Sequence, residues 1–453
     1  MAMTAAGLLL GMDAAVALPL RVLANLSSAI MAMGIIMVVY ASSRGIWSAS
    51  SIYVIVFSLF HFGLTLVYGL GLPIDIALEK HMNRWFYTPY LAQAIVLSSL
   101  GLLFYSMGVY IALLRQQQEQ QNDEKISTGA VLLFAGLLAT IISVFTWFYV
   151  VTSYGGTALL FSSYATFLGA TEGGFLPYVY FGMGLGIALL GAAPPSRGRI
   201  AGFAVFAAWS LIALPLGLRG EVLIPALTAC VLVSKRRPII STGKALALGL
   251  ALLVLINAMQ QVRKIGVQGL SEADIQYNPL GALAEMGSSL RPVAVVVSWR
   301  DNGEDYIYGA SYWAPVERAL QLIVPFGVRL DASDDERLLN VLMARRAGPY
   351  GLSPIAEAYR NFGAIGVCFI MLLTGFLIGA MDTWPATHVR QIMLGIIMVT
   401  LLLQVRNAFT PVPAQLVMGF LVLGAIVLLN KIWPGEASPK ARSVSRPSLQ
   451  PHG

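Results

Sequence analysis

The sequence predicts an all-α fold, a polytopic transmembrane bundle of about 11–12 helices with one large extracytoplasmic loop carrying short helices. Three observations lead there. Of 453 residues, 57% are hydrophobic and 11% charged, whereas about a quarter of the residues of an average soluble domain carry charge. The apolar residues fall into about eleven runs near the length needed to cross a hydrocarbon core of roughly 30 Å. The short segments rich in Lys and Arg all fall on one side of the resulting scheme, as expected of cytoplasmic loops.

By apolar run, spanning helices are expected at roughly 22–43, 46–71, 88–113, 128–152, 174–193, 200–218, 220–234, 245–261, 354–380, 391–405 and 411–431. The stretch from Thr4 to Leu20 has no basic region ahead of it and contains Asp13. It therefore reads as an interfacial or short spanning helix rather than a secretory signal. The basic segments Arg115–Lys125, Arg197–Arg199, Lys235–Lys244 and Lys431–Arg446 set the cytoplasmic side. Segments 72–87, 153–173, 262–353 and 406–410 then face outward. The chain divides into N-terminal helices (1–261), the large outer loop (262–353), C-terminal helices (354–432) and a basic cytoplasmic tail expected to be disordered (433–453).

The outer loop, Val262 to Ser353, holds nine basic and eleven acidic residues, and eight of the nine bases are Arg. Arginine is favoured where a planar group must grip phosphate or carboxylate. A structureless loop of this length is uncommon, so we expect a structured cap with an amphipathic helix near Val316–Pro325. Its cluster Asp331, Asp334, Asp335 and Glu336 offers hard oxygen ligands but reads first as a solvated acidic turn.

Several function classes are excluded. Cys230 and Cys368 sit inside apolar runs without metal-ligand spacing, His61, His81, His388 and His452 are scattered, and no phosphate-cradling Gly-rich loop is present. The +7 formal charge is largely topological and does not point to nucleic acid. No metal or cofactor is expected.

Charges at membrane depth cost about 2.5–3.5 kcal/mol each on insertion scales and tend to face functional cavities. Three places carry them. Arg219 and Glu221 flank Gly220 at an outer turn, either as a site or as an ion pair capping a hairpin. Ser353 and Pro354 are fitted to be the N-cap and first residue of a helix whose dipole end could take an anion. Just inside it, Glu357 and Arg360 share a face, either as residues of that site or as a structural salt bridge. Arg406 and Asn407 lie in a short outer turn, where a snorkelling arginine is equally consistent.

The turn Leu218-Arg219-Gly220-Glu221 and the run Gly351 to Gly366, with Ser353, Ile355, Ala356, Glu357, Tyr359, Asn361, Phe362 and Gly363 in place, resemble the Wzy-type oligosaccharide repeat-unit polymerases. The resemblance implies a membrane glycosyltransferase at the outer face of the cytoplasmic membrane. It would pass a glycan from a polyprenyl diphosphate to another lipid-linked repeat unit, without nucleotide sugar or essential metal. It also implies membrane lipids as surroundings, and a flippase and a chain-length regulator as partners. Because diphosphate is a competent leaving group, the chain's task is to hold it and neutralise charge. Arg219, Arg360 and Arg406, with Arg263, Arg345 and Arg346 from the loop edges, are the expected ligands. Glu357 is the expected proton acceptor, and Glu221, Tyr359 and Asn361 are expected at the glycan. A ligase of similar architecture, or a lipid-linked oligosaccharide flippase, are the alternatives. The absence of a visible internal repeat argues against the transporter.

Overall fold

The computed structural model describes residues 11–72, 85–115, 129–171, 175–236, 239–265, 280–321, 324, 331–348 and 350–432. The expected tail 433–453 and most of the connector after Arg115 lie outside them. Every helix or strand assigned among the described residues is helical. A short α1 (Met12–Val16) precedes α2 (Leu20–Ala41), α3 (Ala49–Gly69), α4 (Pro89–Arg115) and α5 (Gly129–Gly155). Next come α6 (Tyr164–Thr171), α7 (Leu176–Ala192), α8 (Arg197–Ala213), α9 (Arg219–Ser234) and α10 (Thr242–Ile265). The loop contributes α11 (Gly281–Met286), α12 (Arg291–Asp301), α13 (Ala310–Leu320) and α14 (Leu339–Arg346), and α15 (Pro354–Asp382), α16 (His388–Gln404) and α17 (Val412–Ile432) complete the chain.

Each expected span coincides with one helix. Among the described residues α2, α3, α4, α5, α15 and α17 are long and apolar enough by themselves to cross a membrane. The other expected spans are shorter, at 16 or 17 residues in α7, α8, α9 and α16, or end in polar sequence, as α10 does. Large apolar side chains face outward all around, among them Phe145 (74% exposed) and Leu211 (76%). A surface of that kind suits lipid. This is a multi-pass membrane protein.

The bundle is built around α3 and α4, whose apolar windows are 78% buried against 28% for α5 and α17. Small residues bring α4 and α15 together. Gly108 faces the carbonyl of Leu372, Gly375 faces that of Tyr105, and a side chain at either position would collide with backbone. Van der Waals contact between closely approaching backbones is the main attraction available between helices in lipid.

At one end, hereafter the basic end, Ser48 caps α3 by accepting from Ser51 N–H. Asp382, the last residue of α15, accepts from the N–H groups of Ala49 (2.7 Å) and Ser50 (2.9 Å). Lys235 donates to the carbonyls of Met381 (2.8 Å) and Trp384 (3.2 Å). These contacts satisfy the orphan donors of one helix start and the orphan acceptors of a helix end, and they tie α3, α9 and α15 at one level.

The loop lies at the opposite end, and part of it descends beside the bundle. Gly287 approaches the backbone of Leu64, and Gly63 approaches the carbonyl of Leu283, so closely that neither position has room for a Cβ. Gly63 sits six residues before the end of α3, about 9 Å along its axis. The expected amphipathic helix is α13; it begins earlier than predicted, at Ala310, and residues 322–323 and 325 lie outside the description.

The loop's acids are partners for its arginines. Asp335, 1% exposed, takes the Arg337 Nε (2.9 Å) and faces Arg318 (3.8 Å), while Asp334 and Glu336 take Arg345 (3.5 and 3.2 Å). Arg337 also reaches Glu317 on α13 (2.8 Å). The Arg337 hydrogen bond holds the Asp335 carboxyl below its ordinary range, burial opposing. With a folded pKa lower than the unfolded one, its contribution is present above about pH 4 and is lost as pH falls through the folded value. Limited pepsin digestion should therefore begin in segment 331–338 as pH drops below about 4, and Asp335→Asn should open the same segment at neutral pH.

Candidate functional site

A cavity of about 1120 Å³ runs from the loop end almost to the basic end. Its walls are apolar: Ile35 and Val39 of α2, Ile52, Val56 and Phe60 of α3, Leu227 of α9 and Leu246 of α10. Lining residues Ile36 (66% exposed), Tyr40 (92%), Leu246 (55%) and Leu250 (65%) leave it open sideways between α2 and α10. Its charged groups stand only toward the loop end, where Arg219, Glu221, Glu285 and Arg406, with Ser288, Ser289 and Asn407, line the wall.

The two arginines reach this mouth by different routes. Arg219 opens α9 after a turn in which Gly217 takes φ +89°, and it faces Glu285 of α11 at 3.6 Å. Arg406 stands in the turn between α16 and α17, its guanidinium 5.6 Å above the Phe60 ring. Among the described residues no carboxylate forms an ion pair with it. The Gly351 backbone presses on the Arg406 carbonyl and leaves no space for a side chain.

Arg360 does not line the cavity. It is 7% exposed and donates to Glu304 (2.7 Å) and the Asp305 carbonyl (3.1 Å). Glu304 also takes Arg346 (2.7 Å), and the two guanidinium groups lie 5.8 and 5.4 Å from the Trp299 ring centroid. The alternative of a Glu357–Arg360 salt bridge is not what forms; each finds a partner on another segment. The cause is backbone. Gly363, at φ +69° and ψ −160°, breaks α15 and frees the carbonyls of Arg360 and Asn361. These accept from the N–H groups of Ile307 and Tyr308, both at 3.2 Å. Segment 304–309 is thereby drawn against α15, with Tyr308 held at φ +45°, a conformation that costs a non-glycine residue of order 1 kcal/mol or more.

Most of the remaining sequence candidates are engaged by other groups of the protein. Glu357 is fully buried and accepts from the Ser311 hydroxyl (2.9 Å) and Phe409 N–H (2.6 Å). Asn361 accepts from Gly309 N–H (2.8 Å) and donates to Ser311 (2.7 Å) and the Glu357 carbonyl (2.8 Å). Tyr359, 6% exposed, is bonded to Gln93 (3.2 Å). Ser353 caps α15 as expected by accepting from Ala356 N–H (3.1 Å), but this helix start is buried, which removes it as an open anion site. Arg345 and Arg346 are spent on acids of the loop. Arg263 falls on the last turn of α10, and its side chain lies outside the description. Sequence reasoning missed Glu285, Ser288, Ser289 and Glu304. The one usable signal was Glu285 as the single charge in the stretch 275–290.

The comparisons agree with this architecture. The family model for the O-antigen polysaccharide polymerase Wzy matches residues 8–436. Protein CapE of Staphylococcus aureus is 29% identical over 200 residues, an alignment that covers 44% of this chain and 44% of that relative, so less than half of the relative's length is matched. No solved structure matches the chain. A match spanning nearly all of the sequence and every spanning helix settles the kinship: the chain belongs to the O-antigen polysaccharide polymerase Wzy family.

Proposed function

We propose that this chain joins oligosaccharide repeat units, carried on a polyprenyl diphosphate, into surface polysaccharide at the outer face of the cytoplasmic membrane, and that the cavity mouth is its transfer site. One juxtaposition carries the reading: Arg219 and Arg406 stand at the polar end of a cavity whose other walls are apolar and open to lipid. A lipid diphosphate has that same division, a doubly phosphorylated head on a long apolar chain.

The chemistry asks for little else. As the acceptor hydroxyl attacks the anomeric carbon, the bond from that carbon to the diphosphate oxygen breaks, and the electron pair leaves with the diphosphate. Two guanidinium groups beside that oxygen neutralise the charge as it grows, in a setting where water is displaced by apolar walls. The hydroxyl proton leaves to solvent or to a nearby base. Within this reading a flippase supplies the lipid-linked units and a chain-length regulator acts on the product.

Purified protein in lipid nanodiscs, given a lipid-diphosphate-linked repeat unit alone, should yield a ladder of longer glycans on lipid. A product that stays at one repeat unit under these conditions sinks the proposal; transfer only to an added non-lipid acceptor would identify a ligase instead.

A further inference from the structure

Glu357 lies where three elements meet, off the cavity wall. One carboxylate oxygen takes the hydroxyl of Ser311 on α13, and the other takes the N–H of Phe409. Phe409 is three residues beyond Arg406 in the turn between α16 and α17. The same turn is pressed from one side by Gly351 on the Arg406 carbonyl, and the Phe409 ring stands edge-on to Tyr312 with centroids 5.2 Å apart. A proton acceptor must come within hydrogen-bond reach of the hydroxyl it serves. This carboxylate is fully buried and already engaged at both oxygens.

We propose that Glu357 is a positioning residue: by holding the Phe409 N–H it fixes the Arg406–Thr410 turn so that the Arg406 guanidinium faces the cavity, and it takes no proton from the acceptor sugar. The inference rests on the reading of Arg406 as a diphosphate ligand. A carboxylate accepting from backbone N–H makes one of the stronger hydrogen bonds available to a protein. A displacement of about 1 Å at a reacting group can cost about a hundredfold in rate. A tether of this kind is therefore sufficient for a large effect on turnover without contact with substrate.

The test compares Glu357→Gln and Glu357→Ala in the purified full-length chain. Three quantities are read: amide exchange at Phe409, binding of a glycan-free polyprenyl diphosphate, and kcat and KM for repeat-unit transfer. Glutamine retains an oxygen for Phe409 N–H, and its amide can donate to the Ser311 oxygen. It should keep Phe409 protected and stay within about threefold of wild type in binding and kcat, with an unchanged pH profile. Alanine should lose the protection, and with it about tenfold or more in diphosphate affinity and about a hundredfold in kcat/KM. A glutamine variant that keeps both protection and binding yet loses turnover by about a hundredfold identifies Glu357 as a proton acceptor and overturns the proposal. So does an alanine variant with Phe409 still protected. If the alanine variant fails to fold, the glutamine variant decides by itself. Failure of the underlying reading is distinguishable: Arg406→Ala would then bind polyprenyl diphosphate as wild type does, while the exchange at Phe409 still reports the tether.

Discussion

Arg406→Ala should reduce repeat-unit polymerisation by about a hundredfold to a thousandfold while leaving the protein folded. Arg406 is the cleaner of the two mouth arginines to remove. It is exposed to the cavity and forms no ion pair among the described residues, so its loss leaves no buried acid stranded. Arg219→Ala should be equally inactive but less stable, because Glu285, 28% exposed at its side chain, faces Arg219 at 3.6 Å. Lysine at position 406 keeps the charge and loses the planar fork, and should fall by about tenfold or more. The measurement is the initial rate of glycan lengthening at matched protein level, with binding of a glycan-free polyprenyl diphosphate as the second readout. Wild-type rates from both alanine variants would remove the diphosphate site from this cavity. Arg360→Ala is a different experiment. Arg360 is held by Glu304, so its loss acts through the loop and should show first as loosening of segment 304–309.

The contrast between Arg406 and Arg360 marks how far the sequence could be read. The spans were legible because an apolar run of sufficient length has few alternatives in a chain with 11% charged residues. Ser353 with Pro354 announced the start of α15 because an N-cap is a local hydrogen bond between neighbours in sequence. Arg219 and Arg406 were legible as charges at membrane depth, which seldom persist without a cavity to face. Partner choice across long separations was not legible. Glu304 lies 56 residues from Arg360, and what brings them together is the break at Gly363, whose freed carbonyls recruit segment 304–309. Helical spacing offered only a local alternative, a bond between Glu357 and Arg360. Asp382, which joins the end of α15 to the start of α3, carries no local sequence signal of a partner more than 330 residues away. The depth of the loop was hidden as well, since Gly63 and Gly287 reveal their closeness only when α3 and α11 are packed.

That closeness makes Gly287→Ala the substitution with the largest expected structural effect. A Cβ at 287 would lie against the Leu64 backbone nitrogen, and backbone cannot swing aside as the end of a flexible side chain does. Overpacking of a tight contact costs about 1–3 kcal/mol, and here relief requires lifting the whole stretch Gly281–Leu290 away from α3. Glu285, Ser288 and Ser289 would move with it, and all three line the mouth of the cavity. The expected outcome is a fall of several degrees in the thermal unfolding midpoint in detergent, with loss of transfer activity greater than the loss of folded protein. Gly63→Ala, which meets the Leu283 carbonyl from the opposite side, should reproduce both effects. The pair together should cost less than the sum of the two, because one displacement of the segment relieves both clashes. Full additivity, or an unshifted midpoint in either single variant, would mean that the loop does not descend beside α3. The polar mouth of the cavity would then have to be built by other residues.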